Sequence, residues 1–136
     1  MPRPLPPIVR TYLGALMGDH PVDHLQLAVS EDVICEFFAG DRSTTVKGRS
    51  ALAEIIKQRR ASFKELNISA VAARSHRDWL HVTFCAAGIT LPRAANFSSE
   101  HGFAFVYDVT ARYRIQTCRI SNIVEHWISR HSRRRQ

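Results

Sequence analysis

Residues 101–115 read HGFAFVYDVTARYRI and residues 118–128 read CRISNIVEHWI, and these two stretches decide the fold. Polar and apolar side chains alternate along both stretches, which is typical of β-strands that have one covered face. Each also carries ionisable side chains among bulky apolar ones, namely Asp108, Arg112, Glu125 and His126. Because burying an unpaired charge is costly, we interpret these side chains as groups that project into a small-molecule pocket.

Length and composition predict one globular domain. The chain has 136 residues, of which 45% are hydrophobic and 23% charged, so it can bury a single core without help. Its apolar runs fall short of the roughly 20 residues that span a bilayer, and we expect a cytoplasmic protein without a membrane segment. The cysteines are Cys35, Cys85 and Cys118, whose odd number and wide spacing predict free thiols rather than disulfides or a metal knuckle.

The positive charge is concentrated at the C-terminus. Of the net charge of +7, four charges are arginines in residues 129–136, which leaves +3 for residues 1–128. We therefore predict a domain over 1–128 and a basic tail over 129–136. The tail could hold phosphate groups, but zinc-finger spacing and RNA-binding aromatic motifs are missing from the sequence. We expect no nucleic-acid partner.

Helical spacing dominates the first sixty or so residues. Apolar residues recur every three or four positions from Ile8 to Met17, and Gly18 ends that helix. A short helix is predicted from Pro21, and a strand over 33–38 leads into a turn-rich stretch over 39–48. A third helix is predicted from Ser50, as N-cap, to about Phe63, with Lys57, Arg59 and Arg60 pointing outward.

The spacing then changes to that of strands. Residues 67–74 and 79–91 form a predicted hairpin around the turn 75–78, residues 92–100 form a loop, and the two opening stretches complete the sheet. Helices followed by long antiparallel strands indicate an α+β fold.

In this order of elements, the chain resembles the NTF2-like superfamily, within it the SnoaL-like and ketosteroid-isomerase-like group. Four segments carry the resemblance: YLGALMGD (12–19), SEDVICE (30–36), GRSAL (48–52) and CRISNIVEHW (118–127). It covers about residues 8–128. It implies a cone in which three N-terminal helices pack on a curved antiparallel or mixed sheet, and a homodimer.

The resemblance also implies candidate residues. The family's isomerases use a tyrosine of the first helix as hydrogen-bond donor, which matches Tyr12, and an aspartate of a later strand, which matches Asp108. Their first-strand carboxylate is not matched, since Phe37 stands at its position. Glu36 lies one residue earlier and therefore on the opposite face unless a bulge intervenes.

The resemblance implies a pocket inside the cone, and the alternation of each strand then selects the side chains that would face it. They are Trp79, His81, Thr83 and Cys85, then Val106, Asp108, Thr110 and Arg112, and finally Ile123, Glu125 and Trp127. The greater bulk of Phe103, Phe105, Tyr107 and Val109 favours the opposite face for their strand. If that bulky set faced outward, it would form a patch that a second subunit could cover.

Together with these polar groups, the resemblance implies a cofactor-independent enzyme that acts on an apolar or polycyclic substrate as an isomerase, cyclase, dehydratase or epoxide hydrolase. Either Asp108 or Glu125 would transfer the proton, His81 would assist it, and Tyr12 would stabilise an oxyanion. Trp79 and Trp127 would be apolar walls, while Thr83, Thr110, Arg112 and Ile123 would contact substrate. No metal-ligand, dinucleotide or phosphate-loop spacing occurs, so we expect neither metal nor cofactor.

Structural explanations compete with these roles. Tyr12 could be a core aromatic residue, His81 and Asp108 a hydrogen-bonded pair, and Glu125 and Arg112 an ion pair across adjacent strands. A non-catalytic ligand-binding or protein-interaction module is the alternative function.

Overall fold

The computed structural model describes residues 5–90 and 104–130, and shows an α+β fold. The elements in chain order are α1 (Pro7–Met17), a 3-10 turn (Val22–His24), α2 (Leu25–Ala28), β1 (Val29–Ala39), β2 (Arg42–Lys47), α3 (Arg49–Ser62), β3 (Phe63–His76), β4 (Trp79–Thr90), β5 (Ala104–Gln116) and β6 (Arg119–Ser129). The α+β class is confirmed. Two helices precede the first strand, whereas α3 lies between β2 and β3. The predicted loop 92–100 lies outside the described residues.

Local chemistry sets the helix ends. Pro7 opens α1 with a backbone already suited to a helix, and Gly18 closes it in the left-handed region at φ 92°, with its N–H bound to the Gly14 carbonyl. The N-cap of α3 is Gly48 rather than the predicted Ser50, and α3 ends at Ser62 because Phe63 is already extended. Among the described residues, no helix is long and apolar enough to cross a membrane.

The six strands form one sheet in the order β2-β1-β6-β5-β4-β3, in which only β1 and β6 run parallel. The prediction of a turn-rich stretch over 39–48 is wrong, because it contains β2. Gly40 (φ 63°) and Asp41 form a two-residue turn that pairs Ala39 with Arg42. Only Val46 of β2 is buried, so this edge strand shows no apolar alternation in the sequence.

The core fills the inner face of the sheet, which we define as the face that packs against α1 and α3. Its buried sheet residues include Leu80, Val82, Phe84, Val109, Ala111, Tyr113, Ile120 and Ile123. Tyr12, Leu13 and Leu16 of α1 and Leu52 and Ile56 of α3 pack against them. The bulky alternate set of β5 therefore faces inward.

A one-residue bulge determines which polar groups share this face. At the β5–β6 turn, Gln116 pairs with Arg119 and Ile115 with Ile120, but the next pair is Arg114 with Asn122. Ser121 is thus an extra residue in β6. Without it, Thr110 would lie opposite Glu125. With Ser121 present, Ala111 lies opposite Glu125. Glu125 therefore shares a face with the odd-numbered residues of β5, and not with Asp108, Thr110 and Arg112 as expected.

Candidate functional site

A buried carboxylate is the centre of the polar groups in the core. Glu125 is 0% exposed, on the inner face of β6 between Ala111 of β5 and Phe37 of β1. Its Oε2 accepts hydrogen bonds from the hydroxyls of Tyr12 and Tyr113, each at 2.8 Å, and its Oε1 accepts one from the Trp127 indole N–H at 3.0 Å. Three converging donors offset much of the cost of burying this carboxylate.

The two tyrosines are neutral donors at physiological pH. Burial, assisted by the nearby Glu125 carboxylate, raises the pKa of both Tyr12 and Tyr113 well above the ordinary value. Their rings meet edge to face at 5.5 Å, which holds both hydroxyls on the same oxygen. Cys35 lies nearby, and burial followed by the Glu125 charge raises its thiol pKa to about 12.

A cavity of about 210 Å³ lies beside this cluster. Its lining comprises Leu16 of α1, Arg59 of α3, Ala39, Phe63, Thr90, Phe105, Tyr107 and Trp127. Glu125 is not in the lining, so Trp127 connects the two regions: its ring borders the cavity and its N–H binds the carboxylate. A molecule in the cavity would touch Trp127 and reach Glu125 only through it.

A second, larger hollow of about 470 Å³ adjoins the first. Ala39, Tyr107 and Trp127 border both, and the second adds Phe38, Gly40, His126, Ile128 and Ser129. The His126 imidazole stacks on the Phe38 ring at 4.5 Å. The two hollows together give a small molecule room at the end of the sheet where β4, β1 and β6 finish.

Within the part of the chain that the structure describes, Arg59 is the one charged residue that lines the smaller cavity. Its guanidinium carbon lies 4.7 Å from the centre of the Phe37 ring and 5.5 Å from that of the Trp127 ring. The prediction that Arg59 points outward is wrong. Arg59 falls on the helical stripe of Leu52 and Ile56, both buried, and that spacing could have identified it.

The predicted site residues separate into two groups. Tyr12, Ile123, Glu125 and Trp127 lie on the inner side, where Tyr12, Glu125 and Trp127 form the hydrogen-bonded cluster. The other residues lie on the outer face: Trp79, His81, Thr83, Asp108, Thr110 and Arg112. Their predicted inward orientation is wrong, and the extra residue Ser121 is the physical reason.

The outer group makes its own contacts. Asp108 forms a salt bridge of 3.0 Å with Arg130, and Trp79 packs near the guanidinium groups of Arg112 and Arg114. The alternative ion pair of Glu125 with Arg112 is wrong, since the two residues face opposite sides of the sheet. Phe105 and Tyr107 line the inner cavity, so they do not form the outer patch expected for a dimer. Phe103 lies outside the described residues.

Sequence reasoning also missed Tyr113 and Tyr107. Tyr113 follows Ala111 on the bulky alternate set of β5, which the apolar pattern alone would have turned inward. Within residues 5–90 and 104–130, no cluster of three or more His, Cys, Asp or Glu side chains could hold a metal ion.

Comparison with known proteins supports the fold. No protein-family model and no curated protein sequence matches the chain. A proposed polyketide cyclase from Xanthomonas campestris pv. campestris superposes with a TM-score of 0.74 at 14% identity, covering 88% of this chain and 86% of that one. An NTF2-like protein from Anabaena variabilis gives 0.71 at 16% identity, covering 88% and 83%.

The chain has the NTF2-like fold. An LEH-like epoxide hydrolase from M. tuberculosis shares it as well, with a TM-score of 0.63, 14% identity and coverage of 88% and 79%. The resemblance noted from the sequence, to the SnoaL-like and ketosteroid-isomerase-like group, is therefore confirmed at the level of the NTF2-like fold. In this member of the fold, Tyr12 of the first helix donates its hydrogen bond to Glu125 rather than projecting alone into the cavity.

Proposed function

We propose that the protein is a cofactor-independent enzyme that acts by acid/base chemistry on a small, flat substrate whose apolar rings are held beside Trp127. The observation that carries the proposal is the cavity of about 210 Å³, which the side chains of residues 5–90 and 104–130 leave open although it lies against the core. A scaffolding module would fill such a hollow to gain packing energy. Apolar walls with a few directed polar groups are usual for small-molecule sites.

The volume limits the substrate. It is below the roughly 300–1,000 Å³ of most ligand sites, so the inner cavity suits one or two fused rings. Any larger part of the molecule would extend into the adjoining hollow past Tyr107 and Ala39. Aromatic rings of Phe105, Tyr107 and Trp127 offer flat contact surfaces.

The chemistry proposed is isomerisation, cyclisation, dehydration or epoxide opening. Such reactions need proton transfer and stabilisation of a developing negative charge, for which the lining offers the Tyr107 hydroxyl and the Arg59 guanidinium. Glu125 would act as a positioning residue. Its oxygens are already bound by three donors, and it holds Trp127 and the tyrosines in place.

One observation favours the alternative, ligand binding without turnover. Among the described residues that line the smaller cavity, none has a carboxylate or an imidazole. Proton abstraction from carbon usually uses one of these groups. The two functions share the binding step and differ only in whether the bound molecule is then converted.

Calorimetric titration with 2-naphthamide, a neutral bicyclic probe, tests the binding step. We expect saturable binding to one site. Ala39→Trp, at the border of both hollows, should abolish binding, whereas Ala51→Trp, on the exposed side of α3, should leave it unchanged. Absence of binding of both this probe and its ionised counterpart 2-naphthoate to the folded wild-type protein would refute the proposal.

Turnover is tested separately with a β,γ-unsaturated ketone and an aryl epoxide, followed by product chromatography. We expect conversion of at least one of them that 2-naphthamide inhibits and Ala39→Trp removes. Binding of the probe with no conversion of either compound would favour the non-catalytic alternative.

A further inference from the structure

Arg59 places a permanent positive charge in an otherwise apolar hollow. Of the described residues that line the cavity, only Arg59 is charged, and its side chain is half-buried. Guanidinium groups remain protonated at any physiological pH. An apolar cavity that contains such a charge is poorly suited to a neutral hydrocarbon, because the ligand would strip water from the charge without replacing it.

Arg49 and Arg60 lie on the same helix as Arg59 and both have hydrogen-bond partners, whereas Arg59 has none among the described residues. Arg60, the next residue of α3, donates to the His20 carbonyl at 3.2 Å, and Arg49 donates to the Val29 carbonyl at 3.1 Å. Arg114 and Arg130 form salt bridges with Asp78 and Asp108. Over residues 5–90 and 104–130, no hydrogen bond or salt bridge occupies Arg59.

The contacts that Arg59 does make leave its donors available. The group lies over the rings of Phe37 and Trp127, at 4.7 and 5.5 Å from their centres. Stacking of this kind uses the face of the guanidinium, while its N–H groups project from the edges. Its charge also partly offsets that of Glu125, since it lowers the pKa of Tyr12 and Cys35 where Glu125 raises them.

We propose that the ligand is a planar anion whose carboxylate, phenolate or enolate oxygen binds the Arg59 guanidinium while its rings pack on Trp127. This inference rests on the proposed function of the cavity as a small-molecule site. To that proposed function it adds that the ligand carries a negative charge. Arg59 supplies two parallel N–H donors with the geometry that a carboxylate accepts, and the Trp127 ring beside it offers a flat surface for the rings of the ligand.

A matched pair of probes tests the charge. The probes 2-naphthoate and 2-naphthamide share a ring system and nearly the same size, but only 2-naphthoate is ionised at neutral pH. Calorimetry should give at least about 10-fold tighter binding of 2-naphthoate to the wild-type protein. In Arg59→Gln the preference should vanish through weaker binding of 2-naphthoate, and Arg60→Gln, which removes the same charge one residue along, should retain the preference.

The outcomes separate this inference from the proposed function. If neither probe binds the wild-type protein, the cavity is not a small-molecule site and both ideas fail. If both probes bind the wild-type protein with equal affinity, or if Arg59→Gln keeps the preference, the cavity remains a small-molecule site but the role of Arg59 is refuted. Arg59→Met, which suits apolar surroundings, replaces Arg59→Gln should the latter fail to show a wild-type circular dichroism spectrum.

Discussion

Removal of the Tyr113 hydroxyl should destabilise the protein through the buried carboxylate. The hydroxyl donates to Glu125 Oε2 at 2.8 Å, and in Tyr113→Phe only the Tyr12 hydroxyl would remain on that oxygen. Glu125 is 0% exposed, so water cannot take over the lost bond. Hydrogen bonds to charged groups contribute about 1.5–3 kcal/mol, and we expect the free energy of unfolding to fall by about that amount.

Urea denaturation followed by circular dichroism measures the loss. In a thermal melt, the same loss of about 1.5–3 kcal/mol should lower the melting temperature by about 5–10 °C, given an unfolding entropy of about 2.1 cal/mol/K per residue. Tyr107→Phe is the matched control, because Tyr107 is half-buried at the cavity rather than bound to Glu125, and it should change stability by under about 0.5 kcal/mol.

The double variant Tyr12→Phe/Tyr113→Phe sharpens the test. It removes both donors to Oε2, so its destabilisation should exceed the sum of the single effects. If Tyr113→Phe were as stable as the control, the carboxylate would not depend on this donor, and the role assigned to the cluster would be wrong.

Three further predictions concern other features. Stability should fall as pH rises from about 9 towards 12, because the pKa of the Cys35 thiol is raised from 9.0 to about 12 on folding. The thiol of the unfolded chain therefore ionises first, and the free energy of unfolding falls by about 1.4 kcal/mol per pH unit. Cys35→Ala should make the urea midpoint depend less on pH between pH 9 and 10. Thr117 and Cys118 occupy the left-handed region at φ 51° and 62°, so Thr117→Asn with Cys118→Gly should stabilise the protein by about 1–2 kcal/mol in urea denaturation. Deletion of Ser121 should prevent folding by turning Glu125 to the outer face, as seen by lost near-ultraviolet dichroism, whereas Ser121→Ala should fold normally; a folded deletion variant would refute the role of the bulge.

The sequence predicted most of the elements because their signals are local. The 3.6-residue spacing of α1, the Gly18 stop and the alternation in β3 to β6 depend on neighbouring residues alone. The edge strand β2 escaped prediction because just one of its side chains, Val46, is buried. A strand with a single buried side chain has no alternation of apolar and polar residues from which it could be predicted.

The candidate site was predicted in part. Tyr12, Glu125 and Trp127 were selected from the sequence, and they meet in the structure. His81 and Asp108 were selected by the same alternation but lie on the outer face. The homodimer, the cytoplasmic location and the absence of a nucleic-acid partner stay predictions.

The amino-acid sequence by itself determined the α+β class, the order of most elements and the presence of a carboxylate in an apolar strand. These follow from side-chain spacing and from the cost of burying charge. Only the tertiary structure decided which polar groups share a face, because one extra residue at Ser121 reverses the relation between β5 and β6. It also decided that Arg59 meets Trp127, since spacing within α3 can turn Arg59 inward but cannot identify its partner on another element.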